Sequence, residues 1–230
     1  MLLSRLKNFI VNAFQKIYVS NIIRSVDHDI INKSNSSMIQ EGWGQFDAKE
    51  IFGSSISQIA QKSINSNKIK YNNSGSWISR EIDESALKTI LSSEKFEQII
   101  FDYLGEDARL DDIYYWFKKE LIIGENISGS WHDDNVGHRF KCYIGIDVSE
   151  SAPVTEVVPK SHLKPYKFKI ISEFKRYFNI SESISNAKTK LLKHKKDVIT
   201  IFDTNLFLFC FIVNYDGFST KKFLFILVRN

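Results

Sequence analysis

From Phe140 to Val148 every second residue is apolar: Phe140, Cys142, Ile144, Ile146 and Val148, with Lys141, Tyr143, Gly145 and Asp147 between them. A repeat of two sends alternate side chains to opposite faces of an extended chain, so this segment reads as a strand with one face on a core. Similar stretches occur at Ile113, Tyr115 and Phe117, at Val154, Val157 and Val158, from Val198 to Phe202, and from Phe223 to Val228. They are not separated by regular helical segments, which disfavours a doubly wound parallel sheet. An antiparallel sandwich or barrel with helices outside it is the expectation.

The helical signals lie mainly in the first half. Leu3, Leu6, Ile10, Ala13 and Ile17 follow three- and four-residue steps, with Arg5, Lys7, Lys16 and Arg24 among them and no acidic residue before Asp27. Such a helix can lie on an anionic membrane surface, but covering a core is the favoured reading for residues 1–24. Asp47 and Glu50 have capping-box spacing and precede Ile51, Phe52, Ile56, Ile59, Ala60 and Ile64, which predicts a second helix. Residues 63–76 read as a loop. A further stripe, Phe96, Ile99, Ile100, Tyr103 and Leu104, stops at Gly105, suited to a left-handed C-cap. One more helical stripe, Ile170, Ile171, Phe174, Tyr177 and Phe178, interrupts the strands.

At 230 residues, with 43% hydrophobic and 25% charged, the chain suits one folded domain, 1–230, with a mostly helical layer over 1–109 and a β core over 110–230. The longest apolar run, Leu206 to Val213, is far shorter than the roughly 20 residues of a membrane-spanning helix. A net charge of +4 without a basic arm gives no reason to expect nucleic acid as a partner. Two cysteines, Cys142 and Cys210, suggest a reducing compartment, and the cytoplasm is the expected location. Oligomeric state leaves no mark in the sequence.

The densest chemistry lies in "WHDDNVGHRFKCYIGI", from Trp131 to Ile146. His132 and Asp134 are two apart, so in an extended segment both side chains project to one side and can offer an imidazole nitrogen and a carboxylate oxygen to one metal. Two histidines and one carboxylate on one face of an octahedron form the triad of non-heme Fe(II) oxygenases, whose open positions take a cosubstrate and dioxygen. A surface-turn or N-cap role for Asp133 or Asp134 is the plainer alternative for the pair alone.

Together with "VVPKSH", residues 157–162, and "KDVITIFDTN", residues 196–205, this stretch resembles the phytanoyl-CoA dioxygenase family of Fe(II)/2-oxoglutarate-dependent oxygenases, over roughly Gly42 to the C terminus. The resemblance implies a mainly β protein with outer helices (α+β), a double-stranded β-helix or jelly roll with N-terminal helices packed outside. It further implies His132 and Asp134 as iron ligands, 2-oxoglutarate as cosubstrate, and hydroxylation of a small-molecule substrate. His162 matches the family's turn histidine, where a structural role is expected. His138 and Arg139 are expected to fix the adjacent turn or cover the site, and His28 and His194 to lie on the surface. Trp131, Tyr114, Tyr115 and Tyr143 are candidates for pocket lining, with core packing the equal alternative.

The family pattern places a histidine shortly after the Phe-Asp strand and an arginine further on, but no histidine comes after His194. Counting forward from Asp203 puts Leu208 in the histidine slot, and counting back from Asn214 puts Phe211 there. The arginine slot falls on Lys222, with Lys221 as substitute; lysine can pair with the 2-oxoglutarate carboxylate as a point charge without the bidentate fork. Three readings stand side by side: an inactive jelly-roll pseudo-enzyme that binds a small molecule or a partner, a site completed by His138 or His162, or a local reading-frame error across Leu206 to Val213. A strand buried on both faces also accounts for that apolar run.

Overall fold

The computed structural model describes residues 3, 4, 6–11, 13, 14, 37–60, 76–118, 139–148, 154–163, 174, 178, 188–204, 207–211 and 221–229. The strands are β1 (Trp43–Asp47), β2 (Ser76–Ser79), β3 (Arg109–Lys118), β4 (Arg139–Val148), β5 (Val154–Val158), β6 (Lys190–Lys193), β7 (Val198–Asp203), β8 (Phe207–Phe211) and β9 (Lys221–Arg229). They form a six-stranded sheet, β1-β7-β4-β9-β3-β2, and a three-stranded sheet, β6-β5-β8. All the pairings are antiparallel. Two facing antiparallel sheets with helices on the outer side of the larger one match the expected jelly roll.

β9 lies between β3 and β4 and runs against both. β3 and β4 are therefore parallel to each other. Lys118 ends β3 opposite Lys221, whereas Arg139 opens β4 opposite Arg229.

The larger sheet is buried on both faces, which is why β7 reads Val-Ile-Thr-Ile-Phe-Asp with its last five residues all buried. One face, with Tyr115, Phe140, Cys142, Ile144, Ile199, Ile201, Leu224, Ile226 and Val228, packs against the helical layer through Met38, Ala48, Phe52, Ile90, Phe96 and Leu104. Each large side chain fully buried there contributes about 1.5–3 kcal/mol. The other face meets the small sheet, where Phe202, Val157 and Leu192 cluster with Trp43 and Tyr143.

The helix that starts after Asp47 is shorter than its apolar stripe suggests. Asp47 caps it, accepting the Lys49 N–H at 2.7 Å, but it spans only Ala48–Phe52 and closes at Gly53 with φ 69°. Residues 56–60 are helical again. The Glu94–Leu104 helix agrees with its stripe: Ser93 accepts the Phe96 N–H at 3.2 Å, and Gly105 ends it at φ 89°, ψ 171°, a positive-φ conformation outside the left-handed helical region. The Glu84–Leu91 helix, β1, β2 and β6 have no counterpart in the sequence reading, so the first half is less purely helical than expected. β2 also begins inside the expected loop, at Ser76. Of the stripe from Ile170, only Phe174 and Phe178 are described; the Phe178 N–H donates to the Phe174 carbonyl at 3.1 Å, a helical bond.

The N-terminal helix departs from expectation. Residues 3, 4, 6–11, 13 and 14 are helical, but Leu3, Leu6, Ile10, Val11 and Phe14 are all exposed, and among those described only Ala13 is buried. This helix does not present its apolar stripe to the core.

Candidate functional site

His132, Asp134, Trp131 and His138 lie outside the described residues. The residues bracketing them are described, and three stretches far apart in sequence meet there. The β7 strand ends in Phe202, Asp203 and Thr204, and the Thr204 N–H donates at 3.2 Å to the carbonyl of Arg139, the first residue of β4. The Asp203 N–H donates at 2.8 Å to the Gly42 carbonyl. The Tyr103 hydroxyl, from the Glu94–Leu104 helix, donates to the buried Asp203 carboxylate. Burial first, and the Asp203 charge beside it, push the Tyr103 phenol well above its ordinary range.

Gly42 also receives the "VVPKSH" turn. His162 is buried, and its Nε2–H donates at 3.2 Å to the Ile39 carbonyl. A Cβ on Gly42 would fall 2.4 Å from His162 Nδ1, and Gly42 has φ 82°, so both space and backbone require glycine there. The turn is bonded back through the Lys160 N–H to the Glu41 carbonyl at 3.1 Å. Lys160 itself takes φ 64° without being glycine. The expected structural role for His162 is what the geometry shows: the ring wedges a turn against the junction that fixes the start of β4.

A second set of polar groups lies between the two sheets. Tyr143 stacks on Phe202 with ring centroids 5.5 Å apart and meets His194 edge-on at 5.9 Å. His194 Nε2 and the Thr155 hydroxyl are 2.9 Å apart. His194 is therefore no surface residue. The available signal was parity: Leu192, two residues earlier, is buried, and a repeat of two carries position 194 to the same side. The buried Nε1–H of Trp43 has no hydrogen-bond partner among the described residues, and the Lys190 ammonium lies 5.9 Å from the centre of the Trp43 ring. Gln45 Nε2 donates to the Lys193 carbonyl at 2.9 Å and to the Thr200 hydroxyl at 3.0 Å, closing the same edge of the gap.

Of the tyrosines expected to line a pocket, Tyr143 faces this gap. Tyr115 does not: it is buried toward the helices, with its hydroxyl donating to Asp83 at 2.8 Å. Tyr114, one residue away, sits on the opposite face of β3 with the Arg80 guanidinium 5.8 Å from its ring centre.

Lys221 and Lys222 open β9, opposite Lys118 and Phe117 on one side and Val148 and Asp147 on the other. The Leu206–Val213 run contains a genuine strand, β8, in which Leu208 stands opposite Val157 and Phe211 opposite Val154. Neither leucine nor phenylalanine can ligate a metal. Among the described residues, no group of three or more histidines, cysteines or acids is arranged to hold a metal ion.

No family model matches the sequence, and no curated protein does. Solved structures do match the fold. The non-heme α-ketoglutarate-dependent epimerase SnoN from nogalamycin biosynthesis superposes with a TM-score of 0.56 at 10% identity, covering 89% of this chain and 84% of its own. HygX from Streptomyces hygroscopicus, with nickel and 2-oxoglutarate bound, gives a TM-score of 0.56 at 8% identity, covering 89% and 87%. EctD from S. alaskensis with bound Fe gives 0.54 at 10%, covering 89% and 76%. The chain therefore has the jelly-roll fold of the Fe/2-oxoglutarate-dependent oxygenases.

Proposed function

We propose that the protein is an oxygenase of the Fe(II)/2-oxoglutarate-dependent type, of phytanoyl-CoA dioxygenase kind, acting on a small molecule. The observation that carries this reading is the junction at which Arg139, Asp203, Thr204, Gly42 and His162 meet. All three sequence motifs are bonded into one end of a fold that the 2-oxoglutarate-binding HygX shares. His132 and Asp134, five or more residues upstream of Arg139, are the proposed protein ligands of Fe(II). Lys222 or Lys221 is proposed to pair with the far carboxylate of 2-oxoglutarate as a point charge.

The substrate-facing wall in this reading lies between the sheets, where Tyr143, Phe202 and Trp43 supply apolar surface and the Trp43 Nε1–H, unpartnered among the described residues, supplies a donor. The nogalamycin- and hygromycin-bound neighbours accept small molecules. With leucine and phenylalanine in the two slots counted for the third ligand, the competing reading is a non-catalytic jelly roll that binds a small molecule or partner.

Calorimetry with Mn(II) and 2-oxoglutarate separates the two. The oxygenase reading expects metal-dependent 2-oxoglutarate binding that His132→Ala abolishes and that Lys222→Ala, or Lys221→Ala in its place, weakens. Binding that is absent, or untouched by His132→Ala, assigns the protein to the non-catalytic class.

A further inference from the structure

The N-terminal helix exposes side chains that a free surface rarely carries together: Leu3 is 82% exposed, Phe14 70%, Val11 46%, Ile10 42% and Leu6 39%. Isolated apolar residues are ordinary on a protein surface, but a contiguous set on one helix marks an interaction face. At about 100° per residue, Leu3, Leu6, Ile10 and Phe14 fall within one arc, with Val11 at its margin. Ala13, at the trailing edge of that arc, is the buried residue, and Phe9 beside it meets Phe174 edge-on with ring centroids 5.3 Å apart. The helix is thus held to the body of the protein by one edge while the rest of its apolar arc points outward.

The charge around this arc selects the occupant. Arg5, Lys7, Lys16 and Arg24 are the charged side chains of the first 26 residues, with no aspartate or glutamate before Asp27. A second copy of the chain docking through the same face would bring these cations against one another. An anionic bilayer surface would instead receive the apolar residues below its headgroups and pair the cations with phosphate and carboxylate groups at the headgroup level. Phe174, itself 40% exposed, extends the apolar surface beside the helix, and its ring packs on Phe178 at 4.5 Å. Aromatic rings are favoured at the membrane interface.

We propose that the N-terminal helix docks the protein onto membrane surfaces carrying anionic phospholipid. No helix among the described residues is long and apolar enough to cross a membrane. This inference is independent of the oxygenase reading and stands on the helix alone.

The test is co-sedimentation of the full chain with vesicles of phosphatidylcholine alone or of phosphatidylcholine with phosphatidylserine, at low and high salt. The full chain is expected to pellet with the serine-containing vesicles and to be released as salt rises. The double variant Leu3→Glu/Phe14→Glu should bind at least about tenfold more weakly. Lys7→Glu should weaken binding at low salt and flatten its salt dependence. All three residues are exposed, so these variants are expected to fold, and an unchanged circular dichroism spectrum checks it. Equal binding to both vesicle types, or none, overturns the proposal. So does a dimer in light scattering that the double variant dissociates while neither form pellets, which would assign the face to a second copy.

Discussion

Asp197 joins three parts of the molecule through its carboxylate and its backbone. It lies between β6 and β7 at φ 54°, a left-handed conformation that is uncommon outside glycine, asparagine and aspartate. Its Oδ1 accepts the Ser57 N–H at 2.9 Å, and its Oδ2 accepts the hydroxyls of Ser55 and Ser57, each at 2.7 Å. Its backbone N–H donates to the Gly145 carbonyl at 2.8 Å, and its carbonyl accepts from the Ala48 N–H at 2.8 Å. Asp197→Gly separates the backbone term from the side-chain term. Glycine removes the left-handed strain, about 1–2 kcal/mol, but gives back about 0.5–1 kcal/mol in unfolded-chain entropy. Against that small gain stand three hydrogen bonds to a charged acceptor, each worth roughly 1.5–3 kcal/mol alone and less than additive together. Ser55 and Ser57 are buried, so their donors would lose the acceptor with little access to water. The net expectation is a loss of about 2–4 kcal/mol, which lowers the melting temperature by roughly 4–16 °C in a chain of this size. Urea denaturation followed by circular dichroism measures it. Asp197→Asn, which tolerates the backbone and keeps one acceptor oxygen, should fall between the two. Asp197→Gly matching or exceeding the wild type would refute the reasoning, because the backbone would then outweigh the carboxylate.

Lys160, at φ 64°, presents the opposite case. Its side chain is exposed and makes only a long 3.5 Å contact with Glu41, so Lys160→Gly should raise stability by up to about 1 kcal/mol in the same urea assay. Gly145→Ala would set a Cβ 2.0 Å from the Lys195 carbonyl oxygen. Since backbone must move to admit it, a loss of about 1–3 kcal/mol is expected, read as a lower thermal midpoint. Stability should also fall in alkali. Burial pushes the Cys142 thiol above its ordinary 9.0, and burial with a carboxylate partner pushes Tyr103 and Tyr115 above their ordinary 10.0. The fold keeps these protons while the unfolded chain releases them, so their contribution is complete below about pH 8 and declines as pH rises past 9 to 11. Urea midpoints measured across that range check the sign, and Cys142→Ala should remove the earliest part of the decline.

The central strands were legible because β3 and β4 carry the repeat of two of an amphipathic strand, while β7 and β9 show the short continuous apolar run of a strand buried on both faces. The strands that escaped are short or lie at sheet edges. In β1 a glycine interrupts the pattern, and in β6 two lysines flank the two leucines of an edge strand. The Asp47 cap was readable, but not the break at Gly53, because the Ser55–Ser57 segment just beyond it is held by Asp197, more than a hundred residues away. The candidate site divides in the same way. The order of the three motifs and the role of His162 could be read along the chain. Gly42, on which two of the motifs meet, could not: its importance comes from a ring that reaches it only after folding. The N-terminal stripe shows that periodicity reports which residues share a face, and leaves open whether the interior or a partner covers it.

The place of β9 at the middle of the larger sheet has a consequence during synthesis. Until Lys221 to Arg229 leave the ribosome, the sheet exists only as two separate pieces, β1-β7-β4 and β3-β2, each with an open hydrogen-bonding edge and an unfilled row where Leu224, Ile226 and Val228 belong. Assembly must wait for the last strand to be inserted like a keystone, and a nascent chain stalled before it would expose two sticky borders to neighbouring polypeptides.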